Sequence, residues 1–241
     1  MSDLLTLSAV ETHIGRYHIL HGVELAVPEG RTTMLLGRNG AGKTTTLRTI
    51  MGLWRASRGE IRLGQKRIEA LATPDIARAG IGYVPETMAV FSDLTVRENL
   101  VLAAREGAMD QARLDWIFGF FPPLKKFWLS RAGTLSGGQK QMLSFARAFI
   151  EERKLLLIDE PTAGMSVDEV PVVLDLIAAL KQDASKIILL VEHKMDVVRS
   201  LADRIIVLHN GKLVADGKPA EVIASPVVQE AYLGSFGEKA A

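Results

Sequence analysis

The sequence contains no cysteine, which excludes disulfides and thiolate metal sites. It also lacks an excess of charge of either sign. Lys and Arg number 29 against 28 Asp and Glu, a net charge of +1, so no overall basic field draws the chain to nucleic acid or anionic lipid, and partners have to be recognised locally. Long hydrophobic runs are missing too. The most apolar stretches, Val170 to Leu180 and Ile187 to Val191, are too short to span a bilayer, and Pro171 and Asp175 interrupt the first. The polar start Met1-Ser2-Asp3 has no signal-peptide character. A cytoplasmic location is expected, and any membrane role needs another chain. There is no internal repeat and no low-complexity linker.

What is present alternates strand and helix. Leu4 to Val10 and Val23 to Val27 read as strands of an antiparallel flank, with Pro28-Glu29-Gly30 turning into a short apolar strand at Met34 to Leu36. A helix over Thr45 to Met51 follows, then a strand at Gly59 to Leu63, a short helix from Thr73-Pro74, and a strand at Ile81 to Val84. Val96 to Ala104 and Asp110 to Phe120 carry helical spacing, with Pro122-Pro123 ending the second. The continuous apolar runs Leu155 to Ile158 and Ile187 to Val191 fit parallel strands covered on both faces. Helices are expected at Val170 to Leu180 and Met195 to Leu201. The tail reads as strands Arg204 to Leu208 and Leu213 to Ala215 about an Asn210-Gly211 turn, then short helices near Ala220 to Ala224 and Val227 to Leu233. The pattern predicts one α/β domain over 1–241, with a helical subdomain at about 87–150.

Chemistry concentrates in a few stretches. Gly37-Arg38-Asn39-Gly40-Ala41-Gly42-Lys43-Thr44 satisfies G-x-x-x-x-G-K-[ST], with a strand before it and a helix after. Its glycines let successive N–H groups curl inward on an anion, and the helix start adds its positive dipole end. These residues, with Thr45, form the expected polyphosphate-binding set. Lys43 meets the β- and γ-phosphates, and the Thr44 hydroxyl sits on a magnesium ion.

Leu155 to Ile158 leads into Asp159-Glu160, which places two acids at the C-terminal edge of a strand, where open α/β sheets bind ligands. Asp159 is expected to hold magnesium, and Glu160 to act as general base on the attacking water. Ser136-Gly137-Gly138-Gln139 opens a helix to Ile150, with Ser136 and Gln139 as a capping box. Met142, Leu143, Ala146, Phe149 and Ile150 form its predicted buried stripe; Lys140, Ser144, Arg147 and Glu151 form its wetter face. Two glycines in the first turn cost helix propensity of order 1 kcal/mol each, which a site needing bare N–H groups explains.

Gly37 to Thr44, Leu135-Ser136-Gly137-Gly138-Gln139, Leu157-Ile158-Asp159-Glu160-Pro161-Thr162 and His193, in that order and spacing, resemble the nucleotide-binding subunit of ATP-binding-cassette (ABC) transporters over nearly the whole chain. The resemblance implies a P-loop NTPase core, with a mostly parallel sheet and flanking helices, an antiparallel β flank and a helical subdomain. It implies ATP and Mg2+ as cofactors. Ser136, Gly137, Gly138 and Gln139 of one subunit then complete the ATP site on the phosphate loop of another, and His193 contacts the γ-phosphate. The implied partners are a second nucleotide-binding subunit, identical or a paralogue, transmembrane permease subunits and, indirectly, a substrate-binding protein, with no nucleic acid. The implied location is peripheral, on the cytoplasmic face of the inner membrane.

Three positions depart from the family's pattern. Glu86 replaces the usual glutamine that touches magnesium, Ser166 an aspartate in the loop after the catalytic glutamate, and Ile14 the aromatic residue that stacks on adenine. Ile14 offers apolar surface without a π-face, and His13 or Tyr17 are its possible substitutes. Glu86, Leu94 to Leu100, Val191 to Met195 and Val228 to Gly234 favour the branch serving uptake of branched-chain and polar amino acids. His13, His18, His21 and His209 form no acceptable metal set and read as surface or turn residues. Two other readings compete. A soluble ABC-type ATPase acting on nucleic acid or ribosomes carries two cassettes or a long coiled-coil insert, neither of which is present. Intact Asp159, Glu160 and His193 argue against a non-hydrolysing regulator.

Overall fold

The structure is a computed structural model, and it describes residues 3–230. It opens with β1 (Asp3–Ile14) and β2 (Tyr17–Pro28), an antiparallel hairpin much longer than the two short strands expected. Register shifts at Leu7/Val10 and Thr12/His13, with Ala9 at φ +49°, break the period-2 alternation that would have revealed the full length. β3 (Thr32–Leu36) leads into α1 (Lys43–Ile50). β4 (Ala56–Leu63) pairs with β1, and β5 (Lys66–Arg67) closes a four-stranded sheet of order β2-β1-β4-β5. α2 (Thr73–Arg78) and β6 (Ile81–Val84) follow.

The next section is helical: α3 (Val96–Ala103), α4 (Gln111–Phe120), α5 (Pro122–Lys126) and α6 (Gly137–Phe149). Pro122-Pro123 does not simply end a helix. The two prolines occupy the first turn of α5, where a missing N–H costs nothing. Then come β7 (Leu155–Asp159), α7 (Val170–Gln182), β8 (Ile187–Val191), α8 (Met195–Leu201), β9 (Arg204–His209) and β10 (Lys212–Gly217). Two short helices, α9 (Pro219–Ala224) and α10 (Pro226–Val228), end the described chain. The remainder of the helix expected at Val227 to Leu233, and of the Val228 to Gly234 stretch, lies outside the described residues beyond 230. No helix among the described residues is long and apolar enough to cross a membrane.

The second sheet has order β10-β9-β3-β8-β7-β6, parallel from β9 to β6 with β10 antiparallel at one edge. Its central strands are apolar throughout because alternate residues feed two different cores. Met34, Leu36, Leu156, Ile158, Ile188 and Leu190 pack beneath the helices α3 to α8. Leu35, Leu155, Leu157, Ile187, Leu189 and Val191 pack against β1, β2, α1 and α2. The phosphate-loop helix is therefore clasped between the two sheets.

α6 is embedded nearly all round, contrary to the expected wet face. Ser144 is buried, and Lys140, Arg147 and Glu151 are half-buried. Arg147 lies over the Phe91 ring at 4.9 Å and donates to Ala89 O. The helix touches α3, α5 and β6 at once, so one-sided periodicity understates its burial.

Candidate active site

Three neighbouring parallel strands bring the chemistry to one edge. Leu35 of β3 and Asp159 of β7 both pair with Val191 of β8, so the residues that follow each strand emerge side by side. After β3 the chain turns through Gly37 (φ +149°) and Gly42 (φ +105°), both left-handed. A Cβ on Gly37 would collide with Leu208 O, and one on Gly42 would approach Leu20 Cδ2 to 2.8 Å. Gly42 caps α1 without a side-chain hydrogen bond, and the first turn holds no acidic residue. That uncapped start, curled about a cation, fits a polyphosphate. Lys43 Nζ sits inside the curl and donates to Gly37 O at 2.9 Å and Arg38 O at 3.3 Å. Asn39, Gly40, Gly42, Lys43, Thr44, Thr45, Glu86 and Glu160 line one cleft of 380 Å3 together with Ile19.

The two consecutive acids are held differently. Asp159 is fully buried and accepts hydrogen bonds on both oxygens, from Thr44 Oγ1 at 3.2 Å and Tyr83 OH at 3.4 Å. Burial pushes its carboxyl up to about 6; the charges of Glu86 and Glu160 add to this, while the Thr44 hydroxyl and Arg48 oppose it. Glu160 is turned outward into the cleft by a left-handed backbone (φ +47°), a conformation costing a non-glycine residue on the order of 1 kcal/mol. Its N–H donates to Val191 O at 3.0 Å, which holds the turn against β8. Its Oε2 stands 3.6 Å from His193 Nδ1. No cluster of three His, Cys, Asp or Glu ligands occurs among the described residues. The hard oxygens of Thr44 and Asp159 instead suit magnesium, which keeps most of its waters.

Glu192, which periodicity does not single out, supports this corner. It is buried, accepts from Thr162 Oγ1 at 3.0 Å, and accepts from the His193 and Lys194 N–H groups at 2.9 and 3.1 Å. His193 is thereby fixed at the backbone while its ring stays 55% exposed beside Glu160. Asn99 does similar supporting work that helical spacing does not reveal. Buried at the start of α3, it accepts from Phe91 N–H and donates to Phe91 O, tying down the loop after Glu86.

The start of α6 carries the expected capping box, with both the Ser136 and Gln139 side chains bonded. Its glycines are not equally bare. Gly137 is exposed, whereas Gly138 is buried with the Glu169 carboxylate packed directly on it. Ser136 Oγ donates to Glu169 Oε1 at 3.3 Å, and Ser166 donates its N–H and hydroxyl to Glu169 Oε2, each at 3.0 Å. These donors, the Ser166 N–H foremost, hold the Glu169 carboxyl below the usual carboxylate range. None of the four residues Ser136 to Gln139 lines the phosphate-loop cleft of the same chain.

Ile14 does not line that cleft; Ile19 does. Ile14 is half-buried at the hairpin end, paired with Tyr17. The three nearby histidines are not separate surface residues. His13 stacks on His18 at 4.1 Å and His18 meets His21 at 4.0 Å, because the hairpin register sets them in a row.

The profile of the ABC transporter family matches residues 20–163, and that of a branched-chain amino acid ATP-binding cassette transporter segment matches 212–237. The high-affinity branched-chain amino acid transport ATP-binding protein BraG of Pseudomonas aeruginosa is 38% identical over 233 residues, 96% of this chain and 100% of the relative. A probable branched-chain amino acid transport ATP-binding protein, LivF of Archaeoglobus fulgidus, is 34% identical over 221 residues, covering 90% of this chain and 93% of its own. The structure is similar to the ADP conformation of MJ1267, an ATP-binding cassette of an ABC transporter, with a TM-score of 0.78 and 26% identity over 97% of this chain and 100% of that one.

Proposed function

The chain belongs to the ABC transporter family as an ATP-hydrolysing subunit, and from that premise we propose that it energises uptake of branched-chain or related amino acids through membrane partners. The BraG and LivF likenesses over nine-tenths or more of the chain support the solute class, and the match at 212–237 supports the same branch. The solute itself is recognised by other chains.

The observation that carries the catalytic reading is the pair of acids at the C-terminal end of β7, Asp159 on the strand and Glu160 just beyond it. Asp159 is sunk against Thr44, and Glu160 is wrenched by its backbone into the phosphate-loop cleft beside His193. In this reading Lys43, Thr44 and the loop N–H groups bind the triphosphate, and Thr44, Asp159 and Glu86 hold magnesium. Bound there, magnesium neutralises charge on the phosphate oxygens. Glu160 takes the proton of the attacking water, and His193 holds that water and the Glu160 carboxylate in place. Ser136 to Gln139 lie outside this cleft, which supports their acting on the nucleotide of a second subunit. The exposed Phe91 and the half-buried Arg147 stacked on it support the loop after Glu86 as the surface facing the permease, at the cytoplasmic side of the membrane.

The test is to isolate a tagged form from membranes, identify the integral subunits that accompany it, and measure ATP-driven leucine uptake in proteoliposomes containing them. An isolate without integral partners, or one that hydrolyses ATP but moves no amino acid, overturns the proposal.

A further inference from the structure

We infer that Tyr83 is a positioning residue for Asp159, holding the carboxylate in its metal-ready orientation. The inference rests on the assignment of Asp159 to magnesium. Its basis is a division of labour between two hydroxyls. Thr44 donates to Oδ1 of Asp159 and Tyr83 to Oδ2. The Thr44 hydroxyl is also assigned to the ion, so of the two donors only Tyr83 is free of a second duty. Its strand makes it a firm support, since Tyr83 pairs with Leu157 on β7, two residues before Asp159, in a continuous parallel ladder from Ile81 to Val84.

The phenol is itself oriented. Arg48 and Tyr83 line a separate cleft of 620 Å3, with Trp54, Pro85, Arg147 and Arg153. A guanidinium has no acceptor, so the phenol proton is directed to Asp159. Charged neighbours of Asp159 are Glu86 and Glu160 on the cleft side and Arg48 behind.

The experiment uses the intact subunit and a fluorescent ATP analogue, whose affinity is titrated with and without magnesium. For Tyr83→Phe, which keeps the ring, the metal-free affinity and the melting temperature stay at parent values, while the magnesium concentration for half-maximal enhancement rises about three- to tenfold, the range for one lost hydrogen bond. Arg48→Met shifts it in the same direction by less. Asp159→Asn removes the magnesium enhancement. A parent-like magnesium titration for Tyr83→Phe, with Asp159→Asn defective, overturns the role of Tyr83 alone. An Asp159→Asn chain with parent-like enhancement overturns the metal assignment and this inference with it. Loss of metal-free affinity together with a lowered melting temperature in Tyr83→Phe marks a packing role and also overturns it.

Discussion

Ser136 Oγ, at the start of α6, donates a hydrogen bond to the Glu169 carboxylate at the start of α7. A negative group thus already occupies the helix start proposed to receive a partner's γ-phosphate, and two anions cannot share it without strong repulsion. Glu169→Ala, placed in a Glu160→Gln chain to suppress turnover, is expected to lower the ATP concentration for half-maximal dimerisation severalfold. Light scattering against ATP concentration checks it; an unchanged midpoint means that Glu169 does not compete.

Lys43 is nearly buried within the loop, where its ammonium is matched to two carbonyls. Lys43→Ala removes the charge partner of the polyphosphate, and a charge-assisted contact of this kind contributes about 2 kcal/mol. Calorimetric ATP affinity is expected to fall accordingly, and parent-like affinity contradicts the assignment of the loop.

Glu160→Gln keeps the side-chain shape and removes the base. Turnover is expected to fall by about 10²–10⁴-fold while ATP binding persists, and the ATP-held dimer accumulates on size-exclusion chromatography. Phosphate release at the parent rate places the base elsewhere.

The Asp159 carboxyl, raised from 3.8 to about 6 by burial, gives a signed pH prediction. Its folded value lies above its unfolded one, so in the metal-free chain its ionisation opposes folding. That opposition is fully present above about pH 6 and disappears as pH falls toward 3.8. Asp159→Asn is therefore expected to stabilise the metal-free chain near neutrality, by on the order of 2 kcal/mol, with the gain shrinking in acid. Thermal melts of both chains across this range decide; a pH-independent difference defeats the prediction.

Local chemistry was legible in the sequence. The phosphate loop, the acids ending β7, the Ser136/Gln139 box and the Asn210-Gly211 turn are all written in consecutive residues, and each lies where its spacing implied. Features made by distant residues were not. The hairpin's bulges hid half of β1 and β2, and contact with α3, α5 and β6 buried the polar face of α6. Cross-strand register, rather than sequence spacing, lined up His13, His18 and His21. Glu169, Glu192 and Tyr83 act across gaps of 33, 30 and 76 residues, on Ser136, Thr162 and Asp159 respectively, distances at which no periodic pattern can point.

The parity of β7 has a further consequence. Leu156 and Ile158 fill one core while Leu155 and Leu157 fill the other, so sliding the strand by a single position would drive every side chain into the wrong compartment. The two interiors act as a ruler, metering how far the strand protrudes before its acids begin. A one-residue insertion anywhere from 155 to 158 faces a choice between misfilled interiors and displaced carboxylates, and neither outcome leaves a working ATPase.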